Sequence, residues 1–320
     1  MRSMIKACLI SLLMVVFFVV NASAASLREI RASILQWYPT AYNVGGSQSA
    51  VAFDGANIWV VNQNSGTVTK LKASDGSIIG TYGVGNTPKA IAFDGTNIWV
   101  ANFYGNTVTE LKASDGTLVG TYNVGNYPNS VAFDGSDIWV ANQTANTVTK
   151  LKASDGPLMG TYSVGTGPCG IAFDGTNVWV INHEDKNVTK LRASDGTVLG
   201  TYSVGNNNWP CAIAFDGLNI WVASYNLGSI VVSELNAANG TIINTYPSGG
   251  SVGGPIGLAF DGANIWVNNY NENNVTKLRA SDGSVVATYN LGYPTNVTYD
   301  GANIWAVGYS GTAIKIPSFP

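Results

Sequence analysis

His183 is the only histidine among the 320 residues, and it stands in the string Asn182-His183-Glu184-Asp185-Lys186. An imidazole beside carboxylates is the set from which metal sites and acid–base pairs are made, but acid–base work needs a partner placed within reach. No second histidine exists and no Ser–His–Asp triad assembles around this one, so His183 is expected as a ligand-contacting or solvated loop residue, with no catalytic group assigned. Apart from Cys8 in an apolar N-terminal run, the thiols are Cys169 and Cys211. Each follows a proline, Pro168 or Pro210, at equivalent places in consecutive repeats, and in an oxidising compartment this placement predicts a disulfide between them. The seven Asp-Gly pairs that follow Phe or Tyr, from Asp54 to Asp300, invite a calcium reading, but calcium takes six to eight oxygens in one place and each of these aspartates stands alone at a turn. The Gly-x-Gly strings lead into no helix, so they do not cradle phosphate. Neither a metal nor another cofactor is expected.

The elements that must position these residues come from a repeat. Asp54, Asp94, Asp134, Asp174, Asp216, Asp261 and Asp300 are each followed by Gly and, five residues on, by a tryptophan, from Trp59 to Trp305. A period of about forty residues signals a repeat architecture. In the second copy Ala90–Phe93, Ile98–Ala101, Thr107–Lys112 and Leu118–Val124 read as strands A to D, separated by Asp-Gly turns where glycine accepts a positive φ. Four short antiparallel strands make one propeller blade, so the fold class is all-β, a seven-bladed β-propeller. The seventh copy stops before its strand D, whereas Ile34–Val44 precedes the first strand A and its Ala41-Tyr42-Asn43-Val44-Gly45 matches Thr121-Tyr122-Asn123-Val124-Gly125. The N-terminal segment therefore supplies the last blade's outer strand and closes the ring.

Residues 1–24 have the form of a secretory signal: basic Arg2 and Lys6, an apolar run from Ala7 to Val20, and the small residues Ala22-Ser23-Ala24. The expected organisation is 1–24 signal peptide, 25–33 lead-in and 34–320 propeller, with the mature protein secreted or periplasmic. No later stretch is long and apolar enough for membrane insertion. Removing Arg2 and Lys6 leaves 14 basic against 19 acidic residues, a net −5, which excludes electrostatic attraction to nucleic acid.

The pattern Pro-x-x-Ile-Ala-Phe-Asp-Gly … Ile-Trp-Val-Ala-Asn … Asn-Thr-Val-Thr-Lys-Leu … Gly-Thr-Tyr-x-Val-Gly resembles the NHL and YVTN-type propeller repeats, including those of exported virginiamycin B lyase-like proteins, over essentially residues 34–320. In those enzymes the strand-B ends carry glutamates and histidines that hold magnesium and move a proton. The matching positions here are Asn62, Asn102, Asn142, Asn182, Ser224, Asn269 and Gly308, and only His183 coincides with a histidine of that family. The resemblance thus implies the propeller without the lyase's catalytic set.

Length changes between copies fall only in the D–A and B–C connections, which share one rim of a propeller: around Asn206–Trp209, Tyr225–Ser229 and Ser248–Gly254. Loops on a rigid scaffold are where binding concentrates. On that rim, the residue after strand B or before the D–A proline supplies Phe103, Tyr127, His183, Trp209, Tyr225, Tyr270, Tyr293 and Tyr309, interspersed with Gln63, Gln143 and several asparagines. Flat apolar rings beside amides suit a protein, peptide or carbohydrate ligand. The expected function is an exported binding propeller, with a channel-mouth lyase or hydrolase and a structural surface protein as the alternatives.

Overall fold

The computed structural model describes residues 39–205, 208–226, 229–248 and 254–318. The signal segment, the lead-in, residues 34–38 of the closing strand and the centres of the three lengthened loops lie outside the described residues. Among the described residues twenty-eight strands, β1 to β28 in chain order, form seven four-stranded antiparallel sheets. The second blade is typical: β6 (Pro88–Phe93), β7 (Asn97–Asn102), β8 (Thr107–Lys112) and β9 (Leu118–Asn123) pair in that order. Strand A begins two residues before the position read from sequence, at its proline, where a missing N–H costs no ladder bond. In the last blade β26 (Pro294–Tyr299), β27 (Asn303–Gly308) and β28 (Thr312–Pro317) are completed by β1 (Thr40–Asn43), as the matched segment requires. Each innermost strand touches the next one, and that of the last blade touches that of the first, closing the ring.

The core is not one mass but seven wedges, one between each pair of blades. Strand B alternates its side chains: Ile58 and Val60 join Trp305 and Val307 of the last blade, while Trp59 and Val61 join Ile98 and Val100 of the second. This period of two, with both faces buried, explains the unbroken apolar strand-B strings. The seven strand-B tryptophans are fully buried. Each indole Nε1 donates to the turn aspartate of its own blade, at 2.7–2.8 Å. The same aspartate accepts two backbone N–H groups of its A–B turn, as Asp94 does from Thr96 and Asn97. The aspartates of the A–B turns cap their turns and hold the indoles.

A tyrosine from strand D lies beside each tryptophan, from Tyr42 on Trp305 to Tyr289 on Trp266, with centroids 5.4–5.6 Å apart. In all but Tyr289 the ring also lies against the C–D turn glycine of the following blade: a Cβ on Gly116 would sit 2.1 Å from Tyr82 Cε1. In the first blade Lys70 Nζ, lying over Trp59, donates to the carbonyls of Ala113 and Ser114 in the next blade. The third blade adds Asp137, whose carboxylate pairs with buried Lys150 at 2.9 Å. The second and fifth blades replace the lysine by Glu110 and Glu234, which accept from Asn97 and Tyr122 and from Asn219 and Tyr246. Burial raises the Glu110 pKa above the usual carboxylate value.

Strand D, the outer edge, carries a bulge in six blades. Glu110 faces Gly120 but Leu111 faces Leu118, so Val119 is an extra residue. The bulge turns two successive apolar residues outward, here Leu118 and Val119, and the same pair is exposed in the other five blades. A bulged edge is a poor template for another strand, which is how native sheets guard an exposed edge.

Candidate functional site at the channel mouth

The two rims separate as the repeat predicts. On one, the B–C and D–A loops are tied together: the N–H groups of Phe103, Gln143, His183 and Tyr309 donate to the carbonyls of Thr87, Tyr127, Gly167 and Tyr293. On the other, C–D turns bond to A–B turns, as Ala113 N–H does to Thr96 O. The residue before the D–A proline has a left-handed backbone in four blades, at Thr87, Tyr127, Gly167 and Tyr293, and so has Ser47, which precedes Gln48 at the equivalent place of the first blade. Glycine accepts this freely, whereas Tyr127 (φ 57°) and Tyr293 (φ 45°) hold it at a cost of about 1–2 kcal/mol. Side-chain oxygens of Asn106 and Asn273 offset part of that cost by accepting the N–H groups of these two tyrosines.

The eight rim candidates gather into three clusters. Phe103 stacks on Tyr127 at 4.9 Å, with Tyr104 edge-on to both. Trp209 stacks on Tyr225 at 5.3 Å, and the His183 ring lies 6.0 Å from Tyr225. Tyr270 contacts both Tyr293 and Tyr309. The first two clusters are partly capped, since Lys89 Nζ sits 3.7 Å over Phe103 and Lys186 Nζ 4.0 Å over Trp209. Tyr104, Tyr293 and Tyr309 are the open rings, 59%, 52% and 46% exposed.

The asparagines at the ends of strand B do not face a ligand. Asn62, Asn102, Asn142, Asn182 and Asn269 are buried, and each Nδ2 donates to side-chain oxygens of the neighbouring strand C, such as Thr107 and Thr109 for Asn102. Asn102 also accepts from Gly85 N–H of the preceding loop. Their amides brace the rim, which withdraws Asn102, Asn142, Asn182 and Asn269 from the expected binding face and leaves Asn64 exposed on it: a terminal strand position inside a hairpin is reached by the partner strand before solvent.

Inside the rim lies a cavity of about 420 Å³ at the mouth of the central channel. Its wall includes the residue that follows the strand-A proline, or Gln48 in its place, in every blade: Ser49, Lys89, Asn129, Cys169, Cys211, Ile256 and Thr295. Gln63, Gln143, His183 and Tyr309 close it from above. His183 Nδ1 lies 2.9 Å from Pro210 O and 3.9 Å from Cys211 Sγ. Cys169 and Cys211 are free thiols, in place of the expected bridge: Cys169 Sγ is directed at Pro210 O (3.9 Å), and Cys211 Sγ at Trp209 O (3.5 Å). Burial pushes the Cys211 thiol up to about 12 and raises that of Cys169 further, so both stay protonated at neutral pH. Burial also lowers the Lys89 pKa. Among the described residues, no group of three His, Cys, Asp or Glu side chains is placed to hold a metal ion.

Of the residues singled out in the sequence, the cavity takes His183, Tyr309, Cys169 and Cys211, while the other aromatics surround it. Reading the sequence missed Lys89, Asn129 and Ser49. Their signal was available: the residue after each D–A proline is a lysine, asparagine, cysteine, isoleucine or threonine, although the strand around it repeats closely.

No known family profile and no curated protein sequence matches the chain. Solved structures do. The hydrazine synthase of Kuenenia stuttgartiensis superimposes with a TM-score of 0.77 at 19% identity, over 86% of this chain and 96% of that one. A streptogramin B lyase superimposes with a TM-score of 0.74 at 18% identity, over 88% of this chain and 98% of the lyase. At such identities the likeness is one of fold.

Proposed function

We propose that this is an exported binding propeller of the NHL or YVTN type, which takes a protein, peptide or carbohydrate ligand on the rim that carries the B–C and D–A loops. One observation carries the reading. The blades differ most at positions that converge on a single rim and cavity, whereas the turns of the opposite rim repeat the same aspartate cap in every blade. Selection for folding alone has no reason to diversify one rim and hold the other constant. The mature protein, probed on glycan and peptide arrays with and without a chelator, provides the ligand. Trp209→Ala and Tyr270→Ala should then each weaken it about thirtyfold, the effect of losing an anchor worth about 2 kcal/mol. Asn97→Ala, on the opposite rim, should leave affinity unchanged. Loss of binding in Asn97→Ala with both aromatic variants intact would refute the reading.

A lyase is the second reading, favoured by the place of His183 in the cavity wall. With Nδ1 held at Pro210 O, Nε2 is the nitrogen left to exchange a proton. It requires turnover of a bound compound that His183→Ala abolishes; binding without turnover in wild type and variant alike excludes it.

A further inference from the structure

Lys89 is the one residue of the cavity wall with a fixed charge. Its ammonium lies over the face of Phe103, and among the described residues no carboxylate or hydrogen-bond acceptor meets it. Burial without a counter-charge disfavours an ammonium, and an aromatic face compensates only in part. The blades flanking Lys89 supply neutral donors. Asn129 Nδ2 donates to Gln143 Oε1 at 3.2 Å, which leaves the Gln143 amide N–H groups pointing elsewhere, and the Gln63 amide has no protein partner. In a ring of seven, the position opposite the second blade falls between the fifth and sixth. Their contributions to the wall are Ile213, Ile256 and Leu258, beside the protonated thiol of Cys211. The cavity is therefore polarised, with one cation and amide donors on one side and aliphatic side chains on the other.

We propose that the channel mouth is a site for a small amphipathic monocarboxylate, its carboxylate on Lys89 and the flanking amides and its apolar part against Ile213, Ile256 and Leu258. A single lysine is a point charge suited to a monoanion, and the absence of Asp and Glu from the wall leaves no competitor for it. The volume, about 420 Å³, lies within the range of small-molecule pockets. This site shares His183 and Tyr309 with the aromatic rim, but Lys89 lines the cavity and Trp209 does not, so the two readings can be tested apart.

The test is calorimetric titration of the mature protein with hexanoate and benzoate, with hexanamide and benzamide as neutral counterparts and inorganic phosphate as an anion without a tail. Both carboxylates should bind the wild type, and Lys89→Met should weaken them at least tenfold. The amides should bind weakly and equally to both proteins. Lys89→Arg, which keeps the charge, should recover most of the affinity, and an unchanged melting temperature shows that each variant is folded. Ile256→Asn should weaken hexanoate without affecting phosphate. Absence of carboxylate binding to the wild type, equal binding to Lys89→Met, or phosphate binding tighter than hexanoate would each overturn the proposal. Rim binding that depends on Trp209 while no carboxylate binds would sink this inference alone. Carboxylate binding at Lys89 with no ligand lost on Trp209→Ala would sink the rim reading alone.

Discussion

Gly116→Ala is a sharp probe of how the blades lock together. Gly116 has φ +78° in a C–D turn, and an added Cβ would lie 2.1–2.4 Å from three ring atoms of Tyr82 in the preceding blade. Two costs follow. An alanine in the left-handed region loses about 1–2 kcal/mol. The methyl must also push the Tyr82 ring aside, off its contact with Trp59 at 5.5 Å, and such a pair is worth about 0.5–1.5 kcal/mol beyond its buried area. Together these predict a loss of about 2–3 kcal/mol. In a Tyr82→Ala background the ring is gone and only the backbone term remains, so the same glycine change should cost about 1–2 kcal/mol. Urea denaturation of the four proteins in the cycle measures this directly, provided the m-values agree. A coupling of about 1 kcal/mol is expected. If the two changes add without coupling, the ring does not rest on the glycine and this account of the blade interface is wrong.

Two further predictions concern the buried charges. Asp137→Asn should cost less than about 1 kcal/mol, because Asn57 already bonds to Asp54 in the equivalent place, whereas Lys150→Ala should cost about 3–5 kcal/mol by leaving Asp137 and Asp134 without their cation; equilibrium unfolding compares them, and equal losses would refute the distinction. Glu110 has a folded pKa above its unfolded value, so its contribution is complete below about pH 4.3 and is lost as pH rises through the folded pKa; the stability of the wild type relative to Glu110→Gln should fall over that interval, and a constant difference would show that the carboxyl is not desolvated.

The fold was legible because its signals are local and repeated. Asp-Gly followed by Ile-Trp-Val marks a turn and a strand buried on both faces, and seven copies remove the ambiguity a single copy would have. Ring closure was legible for the same reason, through Tyr42 and its counterpart Tyr122. The rim aromatics were legible as a group, but their pairing was not, since Tyr270 and Tyr309 come together only through the angle between blades. Lys89 was missed although the variation after the D–A proline marked its position, because that variation does not say which face it lies on. The strand-end asparagines were misplaced because whether a side chain at a strand terminus faces solvent or a neighbouring strand depends on strand tilt, which a single repeat does not encode.

The position of β1 sets an order of events in time. Its partner β28 is synthesised about 270 residues later, so an early strand must wait for a late one, and joining ends that far apart carries a loop-closure cost of about 5 kcal/mol. Until then the last wedge, with Trp305 and Val307 on one side and Ile58 and Val60 on the other, has no seal. The molecule thus passes through an open arc before it becomes a circle. A chain in which Tyr42 has not yet reached Trp305 is such an arc, and it leaves the edge of its last sheet without its outer strand.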